Sequence, residues 1–165
     1  MTLPNITIEY LANWPEFIDE LARLSFLEWQ DVYQQRGQTL AHLVKVYQER
    51  MNVDRLPLTL VALLDAKLIG MVSLYFFDMP TCPDLDPWLG GLFVLPEWRI
   101  RGVATKLMQR ATEEARKSNV SRLYLWTSSA ESLYRNLGWQ AIERIRYFGH
   151  DAVVMEMNMV ETLRG

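Results

Sequence analysis

One cysteine, two histidines and no long apolar run set the first limits on this chain of 165 residues. Cys82 alone can form no internal disulfide and no cysteine metal cluster. His42 and His150 are too few and too far apart to suggest a zinc site, so no metal is expected. The longest apolar run, Leu60 to Leu64, falls far short of the roughly 20 residues that cross a bilayer. Met1 to Tyr10 contain Glu9 but no Lys or Arg, so the charged start of a signal peptide is missing. Charge blocks are missing too: the formal net charge is −3, with basic and acidic residues interspersed, which argues against a nucleic-acid footprint and favours a small cationic partner over a polyanion. These absences describe a soluble, cytoplasmic protein with no membrane partner.

What is present would fill a core. Half of the residues are hydrophobic and 12% are aromatic, and no repeat, low-complexity tract or break in composition divides the chain, so a single domain over 1–165 is expected. Ile6 to Leu11 reads as a strand. Asn13-Trp14-Pro15-Glu16 reads as the cap of a helix bearing Phe17, Ile18, Leu21 and Leu24, and a second helix follows from Leu40 to Met51. Leu58 to Leu64 is apolar on both faces, as a central strand should be. A strand from Lys67 through Tyr75 to Phe77, another from Trp88 to Val94, and closing strands from Trp139 to Tyr147 and from Ala152 to Met159 complete the β content.

The most informative stretch runs from Leu92 to Ala104, where an apolar strand ends in a short basic turn and an amphipathic helix begins. Helix N-termini present unpaired N–H groups and partial positive charge, and Gly102 lets the backbone approach an oxygen-rich ligand. Arg99 and Arg101 add fixed charge. Beyond the turn, Val103, Ala104, Leu107, Met108, Ala111 and Ala115 share one helical face, and Asn119 reads as the stop. The alternative is an ordinary basic loop capped by a helix. Gly90-Gly91, inside the preceding strand, marks a bulge or a close backbone approach, or else a plain turn at the strand start.

Downstream, Leu123 to Trp126 reads as a strand, and Ser128-Ser129-Ala130-Glu131 as a capping box with Ser128 as cap and Glu131 at its third position. In the helix that follows, Ala130, Leu133, Tyr134 and Leu137 lie on one face, a placement normal for a core tyrosine.

Arg99-x-x-Gly102-x-Ala104 resembles the Arg/Gln-x-x-Gly-x-Gly/Ala signature by which the GNAT N-acetyltransferase family holds the pyrophosphate of acetyl-coenzyme A. Thr127-x-x-Ala130-x-x-Leu133-Tyr134-x-x-x-Gly138-Trp139 resembles that family's second pattern, with Thr127 where asparagine is common and Trp139 where phenylalanine is. The element order βααβββαβαββ is also the family's, over essentially the whole chain. The resemblance implies an α/β fold with a mixed central sheet flanked by helices, and an acetyl-CoA-dependent transfer to a primary amine. It assigns the pyrophosphate to Arg99, Ile100, Arg101, Gly102, Val103 and Ala104, and the pantetheine arm to main-chain groups of Leu92, Phe93 and Val94. Thr127 is counted with the coenzyme contacts. Tyr134 would protonate the departing sulfur, a role that a phenol of pKa ~10 can fill. A homodimer is left open.

The general base is less legible. Many family members carry a glutamate on the strand before the turn, yet Trp88 to Val94 has no carboxylate. Asp78, Asp84 and Asp86 lie in the proline-rich loop leading into that strand, and Asp84 or Asp86 is the expected base or ammonium anchor, against solvated turn residues as the alternative. Trp29, Tyr33 and Trp88 are candidates for an acceptor pocket, or equally for the core. A non-catalytic acyl-CoA-binding module and a purely structural domain are the competing readings, and the resemblance leaves the acceptor open.

Overall fold

The computed structural model describes residues 5–160, so both ends of the expected 1–165 span lie outside the described residues. Alternation along the central strands explains the layering. In β2 (Leu58–Leu64) every residue up to Leu63 is buried. Leu60 and Ala62 pack into one core, whereas Val61 and Leu63 pack into another on the opposite face. β1 (Ile6–Tyr10) and β3 (Lys67–Tyr75) pair antiparallel on either side of β2, with the β2–β3 reversal at Asp65 and Ala66, both at positive φ. β4 (Trp88–Val94), β5 (Arg122–Thr127), β6 (Gln140–Tyr147) and β7 (His150–Asn158) complete a seven-stranded sheet in the order β1-β2-β3-β4-β5-β7-β6.

One face is covered by α4 (Val103–Lys117), whose Val103, Leu107, Met108, Ala111 and Ala115 are buried as the apolar stripe predicts. Gly70 of β3 makes this approach possible: a Cβ there would lie 2.9 Å from the Phe93 carbonyl oxygen and 3.1 Å from Leu107 Cδ1. Asn119, at φ 58°, lies just beyond the helix end. The short α5 (Glu131–Asn136) brings Tyr134 to the same core. On the other face lie α1 (Ile18–Glu28), α2 (Gln30–Gln35) and α3 (Leu40–Glu49). Among the described residues no helix is long and apolar enough to cross a membrane.

Several local expectations are corrected. The first helical region is two helices, because Trp29 at φ −117°, ψ 34° leaves the helical basin and separates α1 from α2. Asn13 caps nothing: it lies inside a 3-10 turn at Leu11–Asn13, a second such turn covers Pro15–Phe17, and α1 begins only at Ile18. The capping box at Ser128 does not form either. Thr127 Oγ1 accepts from the Ser129 and Ala130 N–H groups at 3.3 and 3.0 Å, and Ala130 precedes the helix without a side-chain cap. Glu131 pairs instead with Arg144 and Arg135 at 2.9 and 2.7 Å, and their hydrogen bonds pull its carboxyl down to about 2.

Candidate active site

Among the described residues β4 and β5 are the only adjacent parallel strands, and they are joined at a single residue pair, Trp88 with Tyr124. Beyond it the strands diverge, and the gap opens into a cavity of about 570 Å³. Its walls come from both faces of the sheet: Leu89 to Leu92 of β4 and Leu125 to Thr127 of β5 at the seam, Ala130 and Tyr134 on the α4–α5 side, and Trp29, Tyr33, Tyr47 and Arg50 on the other. Clefts at the carboxyl ends of parallel strands are where open α/β sheets place ligands.

The glycine pair in β4 does produce a bulge. Gly91 adopts φ 63°, and the pairing with β3 slips between Met71 and Ser73. Gly91 and Leu92, left without partners on β3 by the slip, line the cavity beside Gly90, which still pairs with Ser73. Phe93 and Val94 lie outside it. The Val94 carbonyl instead accepts Arg99 Nε at 2.8 Å, and the Arg99 guanidinium lies 5.5 Å from the Phe93 ring centre.

Past the end of β4 the turn is shaped for an anion. Ile100 and Gly102 both take positive φ, at 60° and 83°. Gly102 forms the N-cap of α4, and Val103 and Ala104 open a helix whose first N–H groups have no intrahelical acceptor. A Cβ on Gly102 would meet no protein atom within 4 Å and would project into that open space. Arg99, Ile100 and Arg101 are exposed, the Arg101 guanidinium 5.2 Å from the Trp98 ring centre. No acidic residue stands in the first turn of α4. This donor-rich, unobstructed cradle fits a pyrophosphate, and the seam beside it has room for a long, thin arm.

Tyr134 borders the cavity, its ring edge-on to Trp139 at 6.4 Å. Burial pushes its phenol up to about 12, so it holds its proton throughout the neutral range. Among the described residues nothing accepts a hydrogen bond from it. Thr127, with its oxygen engaged by two backbone N–H groups, fixes the turn that feeds α5.

The acidic loop behaves differently from its sequence reading. Asp84 and Asp86 are exposed and lie outside the cavity, and the carboxylate on the wall is the first of the three, Asp78. Its oxygens accept from Tyr75 Oη at 2.7 Å, Trp126 Nε1 at 3.1 Å and Arg36 Nη2 at 3.1 Å. Arg36 also donates through Nε to Tyr147 Oη at 2.9 Å, tying α2 to β6. Burial, then the Asp78 charge, push the Tyr75 phenol well above its ordinary value. Of the pocket aromatics read from sequence, Trp29 and Tyr33 line the cavity, whereas Trp88 is fully buried and donates Nε1 to the Leu85 carbonyl at 2.6 Å, a core role. Sequence reasoning passed over Tyr75, Arg36, Arg50 and Trp126, which come together only when loop, helices and β5 are assembled.

The comparisons agree with this geometry. The profile of the Acetyltransferase (GNAT) family matches residues 14–139. A mouse (Mus musculus) thialysine N-epsilon-acetyltransferase is 27% identical over 117 residues, 61% of this chain and 69% of that protein. The fold is similar to that of a Salmonella typhimurium protein described as an acetyltransferase and solved with acetyl-CoA, at TM-score 0.72 and 18% identity over 96% of both chains. It is also similar to an aminoglycoside 6'-N-acetyltransferase solved with coenzyme A, at TM-score 0.72 and 16% identity over 96% of this chain and 99% of the other. With the family profile spanning most of the chain and a seam and cradle that fit the donor, the protein belongs to the GNAT acetyltransferase family, and acetyl-CoA is its co-substrate.

Proposed function

We propose that the enzyme acetylates the primary amine of a small acceptor, bound on the α1–α3 side of the seam. Relatives named for thialysine and aminoglycosides support a small amine, and so does the cavity, whose rim carries the exposed carboxylates Glu28 and Asp31 to attract an ammonium ion. The reading keeps a cytoplasmic location and no nucleic-acid or membrane partner.

Acetyl-CoA, when bound, supplies an activated acetyl group. In this reading the turn from Arg99 to Ala104 holds its pyrophosphate, and backbone groups of Gly91 and Leu92 orient its arm and polarise the reacting carbonyl. Tyr134 donates its proton toward the departing sulfur. Because its phenol stands at about 12, above an ordinary thiol near ~8.5, its first contribution is a hydrogen bond to developing negative charge, with transfer completed as the sulfur leaves.

An ammonium ion is no nucleophile, so a proton must leave first. In this reading Tyr75 Oη takes it while passing its own to Asp78 Oδ2, the acceptor of its existing hydrogen bond. Arg36 and Trp126 hold that carboxylate in position. This assigns the base to the Tyr75–Asp78 pair in place of Asp84 or Asp86. The observation that carries the proposal is the cavity bounded by Tyr134 on one side of the seam and by Tyr75 with Asp78 on the other. Thiol release from acetyl-CoA across a panel of small amines tests it: coenzyme binding with no amine-dependent release would leave a binding module.

A further inference from the structure

We propose that Arg50 reads a carboxylate on the acceptor, so that the preferred acceptor is an amino acid whose side-chain amine is acetylated. This rests on the small-amine reading of the cavity and adds to it the second functional group the acceptor must carry.

Arg50 follows α3 on the cavity wall with its backbone fixed twice, donating to the Tyr47 carbonyl and accepting from the Thr59 N–H, both at 3.1 Å. Its guanidinium lies 4.2 Å from the Tyr75 ring centre and 5.6 Å from that of Tyr47. Ring faces hold the cation but consume none of its N–H groups. Among the described residues no carboxylate, carbonyl or hydroxyl accepts from them. The other cavity guanidinium, Arg36, by contrast donates through Nε and Nη2 to Tyr147 and Asp78. A fixed, half-buried, planar fork with no protein acceptor is a site for a planar oxyanion.

That anion is not a coenzyme phosphate. Arg50 stacks on Tyr75, which pairs with Trp88 at the start of β4, whereas the phosphate cradle follows the other end of that strand. The rim carboxylates Glu28 and Asp31 favour a singly charged carboxylate over a phosphate dianion. Tyr75 separates the two functions: Arg50 lies on its ring face and Asp78 at its hydroxyl, so the acceptor's carboxylate and reacting amine stand apart by about one phenol ring. A second unmet group lies on the same cavity. Gln38 Oε1 is buried with no donor among the described residues, an acceptor for a further ammonium on the same ligand.

The test compares lysine and ornithine with their carboxamides and with cadaverine and putrescine, in wild type and in Arg50→Gln and Arg50→Lys, with acetyl-CoA saturating. The acids should exceed their amides and diamines in kcat/KM by at least about tenfold, the value of one charge-assisted hydrogen bond. In Arg50→Gln the acid-to-amide ratio should fall to near unity, with Arg50→Lys between. Equal or better use of the amides and diamines by wild type, or a preference surviving in Arg50→Gln, would overturn the carboxylate inference while leaving amine acetylation standing. If no member of the panel is acetylated, calorimetry with protein saturated in coenzyme A decides: Arg50-dependent binding of the acids upholds the inference, and no binding ends it.

Discussion

The Tyr75 hydroxyl occupies the space above Gly90 that a side chain at position 90 would fill. The end of β3 is thereby locked onto the bulge of β4, and the hydroxyl is aimed at Asp78. Gly90→Ala should push the phenol aside, cost about 1–3 kcal/mol of stability as an overpacked contact, and lower turnover by breaking the Tyr75–Asp78 bond. Thermal unfolding read beside kcat checks both. Adding Tyr75→Phe should recover much of the stability and none of the turnover, whereas a Gly90→Ala protein with wild-type kcat would remove Tyr75 from the proton path.

Asp78 and its loop neighbours should part company. Asp78→Asn removes the proposed proton acceptor and should lower kcat by about 10²-fold or more with acetyl-CoA affinity retained. Asp84→Asn and Asp86→Asn, on exposed side chains outside the cavity, should keep wild-type acceptor kinetics. Loss of activity in either of the latter would return the base to the outer loop.

At the cradle, Gly102→Val places a β-branched side chain at φ 83° and fills the space over the first turn of α4. Calorimetry should show coenzyme A affinity reduced more than about tenfold. Arg99→Ala should cost about 1.5–3 kcal/mol of binding if its guanidinium meets the pyrophosphate. The Nε hydrogen bond to Val94 already positions that guanidinium, so Arg99→Lys should recover little of the loss. Unchanged affinity in all three variants would sink the assignment.

For Tyr134, replacement by Phe keeps the ring against Trp139 and should lower turnover about 10²–10⁴-fold with folding and coenzyme affinity nearly intact. The phenol stands at about 12 in the folded protein, against about 10 when exposed, so the folded state holds the proton longer. Its stabilisation is therefore complete below pH ~10 and is lost as pH rises toward ~12. Tyr33, also raised to about 12 by burial, acts in the same direction. Two consequences are measurable: no alkaline decline in kcat from Tyr134 below pH ~10, and alkaline unfolding that coincides with ionisation of the buried tyrosines. Tyr134 and Tyr33 ionising freely near pH ~10 in the folded protein would contradict both.

Elements with strong patterns were legible in the sequence: the two-faced apolar run of β2, the amphipathic stripe of α4, and the glycine pair that became a bulge. The turn that opens α4 was legible because it is local, built from consecutive residues. Which loop carboxylate reaches the cavity wall was not, because Asp78 is set apart from Asp84 and Asp86 by Arg36 and Trp126, 42 and 48 residues away in sequence. Trp88 and Tyr33 are equally aromatic in sequence, and only the packing separates a core side chain from one on the cavity wall. The cap of α5 was misread for a smaller reason: a single threonine oxygen, on Thr127, accepts from the Ser129 and Ala130 N–H groups where the neighbouring serine was expected to cap.

The single pairing between β4 and β5 has a thermodynamic consequence. With one residue pair joining them, the first four strands and the last three share little backbone hydrogen bonding across the seam, and are held by the Trp88–Tyr124 ring contact, the Asp78–Trp126 and Arg36–Tyr147 bonds, and α4. A ligand seated along the seam acts as the missing strand-to-strand linkage. Amide protons flanking the gap, at Gly91, Leu92 and Trp126, should exchange quickly in the free protein and slow sharply with coenzyme A bound, so that donor binding and the cooperativity of unfolding rise together.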